Sequence, residues 1–321
     1  MRVVIVCPAP AGSRLGNRIT AVRWRALLTG LGHRVLVTTG IPRSRYDVLI
    51  ALHAFRTADV VRWSRDTHPE RAVVVALTGT DLSHDVHAHE KARRSLLLAD
   101  RLVVLHDQAF RALPRRVRAK VRLIRQSAAP ARPGSRRRGR TFDVALVAHL
   151  RNEKDPLRAA LAARLLPESS RVRILHVGRA LTNEWRRRAR TAEGSGGRYQ
   201  WLGEVSPLRA RRLIAAARLM VLTSVSEGGA NVLGEAIVSG TPVVSTRIPA
   251  AVSALGAGYP GFFRVRDTAG LARLLARAER DPAFLALLTR RTRARRRLFS
   301  PSTEKGAWRS LLAELVHDAR E

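Results

Sequence analysis

Short runs of β-branched and aliphatic residues recur along the whole chain, separated by segments with helical periodicity. The runs are continuously apolar, a pattern typical of strands that are buried on both faces of a parallel sheet. Ten of them are predicted as strands, at residues 3–6, 35–37, 48–52, 73–77, 102–105, 121–124, 144–147, 172–177, 220–222 and 243–245. Amphipathic segments such as 19–31 lie between them. This alternation predicts doubly wound α/β sheets.

The chain has 321 residues, about twice the length of a typical single domain. The two series of strands are separated by a stretch rich in Pro, Gly and Arg that has no apolar period. We therefore expect an N-terminal domain over 1–130, a linker over 131–140 and a second domain over 141–300. An amphipathic helix over about 301–320 should pack back on the first domain or bridge the two. A nucleic-acid-binding arm is the alternative interpretation of the arginine-rich linker.

The chain is strongly basic, with 59 Lys and Arg against 25 Asp and Glu and a formal net charge of +34. Such a balance indicates an anionic partner, a field that gathers phosphorylated substrates, or a preference for arginine on solvated faces. Only four of the 59 basic residues are lysine. Aromatic residues make up 5% of the chain and no nucleic-acid-binding motif is present, so we expect no nucleic-acid partner.

Neither a membrane span nor a targeting segment is predicted. No apolar run approaches the roughly 20 residues that a transmembrane helix needs. The apolar stretch at the start of the sequence is too short for a signal peptide and is predicted to be the first strand. The single cysteine, Cys7, cannot form an internal disulfide. A cytoplasmic protein is expected.

The stretch 222–245, LTSVSEGGANVLGEAIVSGTPVVS, carries the strongest chemical signal. It predicts a buried strand, a polar glycine-containing turn, a helix from about Asn231 to Ser239, and another buried strand. The amides of Gly228, Gly229, Ala230 and Asn231 would then lie at a helix N-terminus, which suits a diphosphate. Two carboxylates eight residues apart can accept hydrogen bonds from different parts of one bound molecule.

This string resembles the Glu-x7-Glu signature of the GT-B glycosyltransferases, in the large family typified by sucrose and glycogen synthases. The flanking Ser-x-Ser-Glu-Gly, which includes Ser226, and Gly-Thr-Pro-Val-Val also match. The resemblance implies two Rossmann-like domains facing a central cleft. It also implies that Glu227 contacts the donor hexose and that Glu235 binds the ribose of the nucleotide.

Two further segments resemble donor-binding parts of the same family. Residues 148–154 are similar to its Gly-Arg-Leu-x-x-Glu-Lys segment, which implies that Lys154 holds the donor diphosphate. His149 stands where the family has arginine, so we expect Arg151 to act as the second cation. Residues 199–205 resemble the segment that receives the nucleobase.

On the acceptor side, the loop from Pro8 to Thr20 contains glycines that allow a close approach to phosphate. It is neither a Walker loop nor a Gly-x-Gly-x-x-Gly fingerprint. In a GT-B protein this loop faces the cleft, so Gly16 and Asn17 are candidates for stabilising the leaving diphosphate. The remaining acceptor-side candidates lie in this loop or at strand ends on the same edge: Arg14, Arg18, His53, Thr78, Thr80 and Asp81. His53 can bind phosphate or cap the backbone at the end of its strand.

Three histidines close together, His84, His87 and His89, raise the question of a metal site. Their spacing matches no zinc-binding pattern, and a solvated helix start is the simpler interpretation. No metal and no cofactor are expected.

A narrower resemblance covers residues 1 to about 245. The opening Pro-Ala-Pro-x-Gly-Ser-Arg-x-Gly-Asn-Arg-x-Thr-Ala-x-Arg-Trp, with Leu-Thr-Gly-Thr-Asp-Leu and His-Leu-Arg-x-Glu-Lys-Asp-Pro, is similar to the selenosugar synthases of selenoneine biosynthesis. In that family a UDP-sugar such as UDP-N-acetylglucosamine reacts with selenophosphate to form a carbon–selenium bond. The resemblance implies a selenophosphate synthetase and a selenosugar-consuming enzyme as functional neighbours.

Two other functions stay open. The first is a GT-B glycosyltransferase with an oxygen acceptor such as a lipid or polysaccharide, for which the arginine-rich segments 183–190 and 289–297 could supply a membrane-facing surface. The second is a non-catalytic module that binds nucleotide sugars or nucleic acid.

Overall fold

The chain folds into two α/β units, each built on one parallel sheet. The structure is a computed structural model that describes residues 1–13, 15–79, 81–131, 141–194 and 197–318. One compact unit comprises Met1–Gln126 together with Pro301–Glu321, and the other comprises Ser127–Ser300. Of the predicted linker over 131–140, only the first residue lies within the described residues.

The first unit is built on a six-stranded parallel sheet in the order β2-β1-β3-β4-β5-β6. Its strands are β1 Arg2–Val6, β2 Arg34–Thr38, β3 Val48–Leu52, β4 Ala72–Leu77, β5 Arg101–Val104 and β6 Val121–Leu123. The central strand β3 is buried along its whole length because helices cover both faces of the sheet. The helices are α1 Gly16–Thr29, α2 Ala58–Thr67, α3 Val86–Ala88, α4 Glu90–Leu98 and α5 Ala109–Ala112. A π-helical turn, Asp81–Asp85, follows β4 and leads into α3.

The last helix of the chain, α13 Pro301–Asp318, belongs to the first unit. Its Trp308 ring packs edge-on against Trp24 of α1, with the ring centroids 4.7 Å apart. Glu304, although buried, accepts a hydrogen bond of 2.7 Å from Trp24 Nε1. Further along, Glu314 pairs with Arg101 and Arg122 of β5 and β6, and the Arg122 guanidinium holds the pKa of this carboxyl below its ordinary value. The helix is therefore fixed by both apolar packing and polar contacts.

The second unit is built on another six-stranded parallel sheet, in the order β12-β11-β10-β7-β8-β9. Its strands are β7 Phe142–Val147, β8 Val172–Val177, β9 Tyr199–Trp201, β10 Leu219–Leu222, β11 Val243–Thr246 and β12 Phe262–Phe263. Its helices are α6 Arg158–Arg164, α7 Asn183–Glu193, α8 Pro207–Ala216, α9 Asn231–Ser239, α10 Pro249–Leu255, α11 Thr268–Arg280 and α12 Pro282–Arg293. Short 3-10 turns lie at Asn152–Lys154 and Arg296–Phe299 in this unit and at Arg115–Lys120 in the first unit.

The prediction of two doubly wound parallel sheets is confirmed. Each of the ten predicted strands is present, and the predicted helix over 231–239 has the observed bounds. The strands β9 and β12 were not predicted as strands. Within the described part of the chain, no helix is long and apolar enough to cross a membrane.

The contact between Trp24 and Trp308 supplies a matched pair of substitutions. Trp24→Phe and Trp308→Phe remove the same atoms from two adjoining buried rings. Of the two rings, that of Trp24 donates to Glu304, whereas Trp308 Nε1 has no hydrogen-bond partner among the described residues. Because a buried carboxylate that loses a donor is costly, we expect Trp24→Phe to lower the free energy of unfolding by about 1–3 kcal/mol more than Trp308→Phe does. Urea denaturation followed by circular dichroism measures both, and equal losses would contradict this role of Glu304.

Candidate functional site

The candidate donor site lies at the topological switch point of the second sheet. β7 is the first strand of this unit, and it pairs with β8 on one side and β10 on the other. The chain therefore winds away from β7 in both directions, and β7 and β10 are neighbouring strands whose loops both leave the carboxyl edge. Open α/β sheets bind their ligands at such a point. The donor-side residues predicted in the second unit lie in these two loops or in α9, except for the nucleobase segment 199–205, which comprises β9 and the residues after it.

The two loops are joined to each other by hydrogen bonds. The Thr223 hydroxyl donates to the carbonyl of Lys154 at 2.9 Å, and the Val225 amide donates to the carbonyl of Glu153 at 2.8 Å. The Thr246 hydroxyl of β11 donates to the carbonyl of Ser224 at 2.7 Å. These contacts fix the loop after β10 against its neighbours, so side chains that project from it have defined positions.

A largely buried ion pair, Lys154–Glu227, lies where the loops meet. Lys154 Nζ is 2.5 Å from Glu227 Oε1, and the two side chains are only 17% and 9% exposed. The Ser224 hydroxyl donates to the same oxygen at 2.6 Å. An ammonium has three N–H donors, so Lys154 can hold Glu227 and still donate to an anionic ligand. The structure thus brings together two residues, 73 positions apart, that were predicted to act on one donor.

The N-terminus of α9 adjoins this pair in sequence and has no side-chain cap. Ala230 precedes the helix in the left-handed conformation, with φ 47° and ψ 58°, and the first turn contains no acidic residue. The positive end of the helix dipole is therefore not offset by a carboxylate of its own first turn, which favours an anionic ligand there. Gly228 is buried in the approach to the helix, whereas Ser226, Gly229, Asn231 and Glu235 are partly exposed.

The loop after β7 places the remaining donor-side candidates at the same edge. His149 Nδ1 accepts a hydrogen bond of 3.1 Å from the Arg179 amide, which joins this loop to the one after β8. Arg151 Nε lies 3.8 Å from a carboxylate oxygen of Glu153. The side chain of Arg151 is 41% exposed, so it can still reorient toward a ligand.

A buried histidine holds the base of this loop. His176 of β8 is fully buried, with Nε2 at 2.8 Å from the carbonyl of Ala148 and Nδ1 at 2.7 Å from the Tyr199 hydroxyl. A carbonyl oxygen only accepts, so Nε2 carries the proton and Nδ1 accepts from Tyr199. Burial lowers the pKa of His176 to about 4 and raises that of Tyr199. Both side chains are therefore neutral at pH 7.

In the first unit, the loops after β1 and β4 meet at the start of α1. Asn17 Oδ1 accepts a hydrogen bond of 2.8 Å from the Thr78 hydroxyl, and Gly16 is the exposed first residue of the helix. Arg18, in the first turn of α1, interacts with the buried thiol of Cys7. Burial raises the pKa of that thiol, and the nearby guanidinium partly opposes the increase. Arg14 and Thr80, which were also predicted on the acceptor side, lie outside the described residues.

His53 and Asp81 form a second buried pair, at the carboxyl ends of β3 and β4. Asp81 Oδ1 is 3.0 Å from His53 Nδ1 and accepts from the Ala54 amide at 2.7 Å, while its Oδ2 accepts from the Gly79 amide at 3.1 Å. His53 has a φ of 85°, which residues other than glycine rarely adopt. Because Asp81 is fully buried and bonded to its neighbours, its contacts in this structure position His53 and the adjoining backbone.

Two residues that organise these sites were not predicted from the sequence. Ser224 shares the Glu227 oxygen with Lys154, and its only sequence signal was its place in the Ser-x-Ser-Glu string. Gly178 allows the backbones after β7 and β8 to touch, because a Cβ there would lie only 1.7 Å from the Ala148 carbonyl oxygen. Nothing in the local sequence distinguishes this glycine from one in an ordinary turn.

Comparison with known proteins gives a family match over the second unit and many similar folds. Residues 141–281 match the family described as Glycosyl transferases group 1. A comparison with curated proteins found no significant match. Among solved structures, sucrose-phosphate synthase from Thermosynechococcus elongatus is 17% identical, with a TM-score of 0.82 over 99% of each chain. HepE from Anabaena in complex with UDP-glucose is 17% identical, with a TM-score of 0.75 over 98% of this chain and 100% of its own.

A third similar structure is the α,α-trehalose 6-phosphate synthase from Burkholderia multivorans, at 14% identity and a TM-score of 0.69. That alignment covers 85% of this chain and 70% of the other. At such identities the similarity establishes the fold, which is that of the GT-B glycosyltransferases. The family match and the fold together support the predicted assignment to the GT-B superfamily, and they do not distinguish a selenosugar synthase within it.

Stability should fall in acid because His176 is buried in its neutral form. Its pKa is about 4 in the folded chain against an ordinary value near 6.5, so the unfolded chain binds more protons between those values. Stability from this group is therefore full above pH 6.5 and is lost as the pH falls toward 4, by on the order of 3 kcal/mol. Denaturant titrations across this range should show a shallower loss for His176→Gln, which keeps both hydrogen bonds but cannot titrate. If the stability of the wild type and of His176→Gln fell equally with pH, the acid sensitivity would not come from His176.

Gly178→Ala should be far more damaging than the same change at Gly203. An added Cβ at Gly178 would collide with the Ala148 carbonyl, whereas at Gly203 it would meet nothing within 4 Å. Gly203 has a φ of 72°, so alanine there would lower the free energy of unfolding only through its left-handed backbone conformation, by about 1–2 kcal/mol. We expect Gly178→Ala to cost at least about 3 kcal/mol, because two backbone segments must separate. Thermal and urea denaturation of both variants test this, and similar losses would disprove the close approach.

Proposed function

We propose that this chain is a glycosyltransferase that takes its sugar from a UDP-sugar bound at the switch point of the second sheet. The observation that carries the proposal is the buried Lys154–Glu227 pair next to the uncapped N-terminus of α9. A cation and a helix N-terminus together suit a diphosphate, while a carboxylate suits sugar hydroxyls. The family match spans this whole site, and HepE, of similar fold, has been solved with UDP and with UDP-glucose.

Each donor-side residue has a proposed role in this scheme. Lys154 and the backbone amides at the start of α9 bind the diphosphate and stabilise it as it leaves, with Arg151 as a second cation. Glu227 accepts hydrogen bonds from the sugar, and Glu235, in the second turn of α9, accepts them from the ribose. The nucleobase lies near the end of β9, where Leu202 is 47% exposed although Tyr199 and Trp201 are buried.

We further propose that the acceptor is selenophosphate, bound by the first unit. A small anion needs cations and N–H donors, and Arg18 and His53 can supply them, while Gly16 and Asn17 remain candidates for binding the leaving diphosphate. The selenium lone pair attacks the anomeric carbon as the bond from that carbon to the diphosphate oxygen breaks, and the bonding pair leaves with UDP. Water then cleaves the phosphorus–selenium bond, which releases phosphate and the selenosugar. Selenium is already a strong nucleophile here, so no general base is required.

An oxygen acceptor is the second candidate. The similar structures include a sucrose-phosphate synthase and a trehalose 6-phosphate synthase, whose names refer to sugar phosphates as products. A sugar phosphate would use the same cations as selenophosphate but would need its hydroxyl to be deprotonated. His53 lies at the carboxyl edge of the first sheet and can take a proton, which makes it the residue on which the two alternatives differ most.

The first experiment incubates the chain with UDP-N-acetylglucosamine and freshly prepared selenophosphate, in the presence of EDTA, and follows products by mass spectrometry. UDP release together with a selenium isotope pattern in a sugar product supports the full proposal. UDP release only with sugar phosphates or other hydroxyl acceptors would support glycosyltransferase activity and would rule out selenophosphate as the acceptor. No turnover with any donor, although UDP still binds, would leave a nucleotide-sugar-binding module.

The donor site predicts different defects for its two charged residues. Lys154→Gln should weaken UDP binding and lower kcat by about 100- to 1000-fold, because the leaving diphosphate loses its cation. Glu227→Gln should leave UDP binding within a few-fold of wild type yet lower kcat/KM by about 10- to 100-fold, because its contacts are with the sugar. Glu184→Gln, an exposed carboxylate on α7, is the matched control and should behave as wild type. Calorimetry with UDP and steady-state kinetics separate these outcomes, and unchanged turnover in Lys154→Gln would refute the site.

A further inference from the structure

A cluster of ligating side chains lies in the first unit, on the segment that follows β4. His84 Nδ1 is 3.4 Å and His89 Nε2 is 3.9 Å from the same carboxylate oxygen of Asp85. One ligand atom from each of these three residues lies within 4.8 Å of the other two. We propose that His84, Asp85 and His89 bind a divalent transition metal ion, with zinc as the best match. The proposal does not depend on the proposed transfer reaction, although Asp85 adjoins His53, one of the acceptor-side candidates.

The separations suit a small tetrahedral ion after minor side-chain adjustment. Zinc binds imidazole nitrogen and carboxylate oxygen at about 2.0–2.2 Å, which puts neighbouring ligand atoms about 3.4 Å apart. The two histidine–carboxylate separations are 3.4 and 3.9 Å, and all three ligand atoms lie within 4.8 Å of one another, so rotations of the two rings would close the site. Two imidazoles and one carboxylate form a borderline donor set that zinc accepts and that magnesium and calcium do not prefer. His84 is 67% exposed, which leaves the fourth position open to water.

The carboxylate of this site is held from behind by buried groups. Asp85 is only 9% exposed, and its second oxygen is 3.7 Å from His53 Nε2. His53 Nδ1 in turn faces Asp81, which is fixed by two backbone amides. Metal-binding side chains are commonly oriented by such outer contacts, and these contacts tune affinity. A cation at Asp85 would also offset the proximity of two buried carboxylates around one imidazole.

The ring and backbone of His89 are also positioned before any ion binds. The His89 ring stacks on Phe55, with centroids 4.1 Å apart and an angle of 17° between the rings. The His89 amide donates to the carbonyl of Asp85 at 2.9 Å, which closes the turn that contains both ligands. His84 and Asp85 end the π-helical turn Asp81–Asp85, and π-helical turns are often found at functional sites. The ion would thus join this turn to the start of α4.

The test uses untagged protein, stripped with a chelator and titrated with zinc in competition with a chromophoric chelator. We expect one equivalent to bind, and His84→Ala and His89→Ala each to weaken its binding at least tenfold. His87→Ala is the matched control, because His87 is exposed on the same segment but is not one of the three ligands. It should bind zinc as wild type does. His53→Gln should weaken binding by about tenfold or more through the outer contact.

A second measurement separates this site from general zinc adsorption. Zinc should raise the thermal midpoint of the wild type and of His87→Ala, because an ion that binds only the folded chain stabilises it. The same concentration of zinc should give little or no increase in the thermal midpoint of His84→Ala or His89→Ala. Both side chains are partly exposed, so we expect these substitutions to leave the fold intact. The proposal fails if the wild type binds no equivalent of zinc, or if the two ligand variants bind it as tightly as the control. Neither result would bear on glycosyl transfer, which is assayed in EDTA.

Discussion

The donor site of the second unit and the acceptor-side candidates of the first depend on one topological constraint. This constraint is the position of the first strand inside each sheet. β1 pairs with β2 and β3, and β7 pairs with β8 and β10, so each unit winds outward from its first strand in two directions. Right-handed crossovers place the connecting helices on opposite faces on the two sides. The loops at the carboxyl ends of these strands therefore diverge and leave room for a ligand. Lys154 and Glu227 meet at this point in the second unit, and Cys7, Arg18 and His53 lie at the corresponding edge of the first.

Burial then divides the polar residues at these edges into those that hold the site and those that can bind. Thr223 and Ser224 are nearly inaccessible, and their hydroxyls are engaged with the protein itself. Asp81 is likewise engaged with amides and an imidazole. Unpaired groups at such depth would cost several kcal/mol, so their internal partners are required for folding. Lys154 differs because it is slightly exposed and its ammonium has more N–H donors than Glu227 alone requires.

Most of the fold could be predicted because its central strands are buried on both faces and are therefore continuously apolar. The two missed strands lack that signal. β9, Tyr199–Trp201, contains an exposed Gln200 between two buried rings, as befits an edge strand, and β12 has only two residues. Both are too short for a periodic pattern to be distinguished from a loop.

The sites were less predictable, since their contacts join distant residues. The roles of Lys154 and Glu227 came from a family resemblance, and no local pattern indicates that residues 73 positions apart form an ion pair. The proximity of His84, Asp85 and His89 could not be predicted for a different reason. Residues five apart point about 140° away from each other on an α-helix, so His84 and His89 do not share a face there. The π-helical turn at Asp81–Asp85 changes that geometry and brings Asp85 between them.

The excess of arginine has a structural component that the sequence alone did not reveal. Arg65 binds the carbonyl of Leu98 at the end of α4, and Arg295 binds the carbonyls of Ser253 and Ala254 near the end of α10. Cations are favoured at helix C-termini, where carbonyls lack intrahelical partners and the dipole is negative.

The same use of arginine recurs beyond α6, where the Arg198 guanidinium binds the carbonyls of Leu166, Pro167 and Glu168. A planar group with five N–H donors can bind several carbonyls at once, which a lysine ammonium does less well. The preference for arginine over lysine is therefore partly a way to satisfy backbone oxygens after helices and in loops. A guanidinium that is committed to such oxygens is not available for a phosphate backbone. High basicity in this chain consequently does not by itself require a nucleic-acid partner.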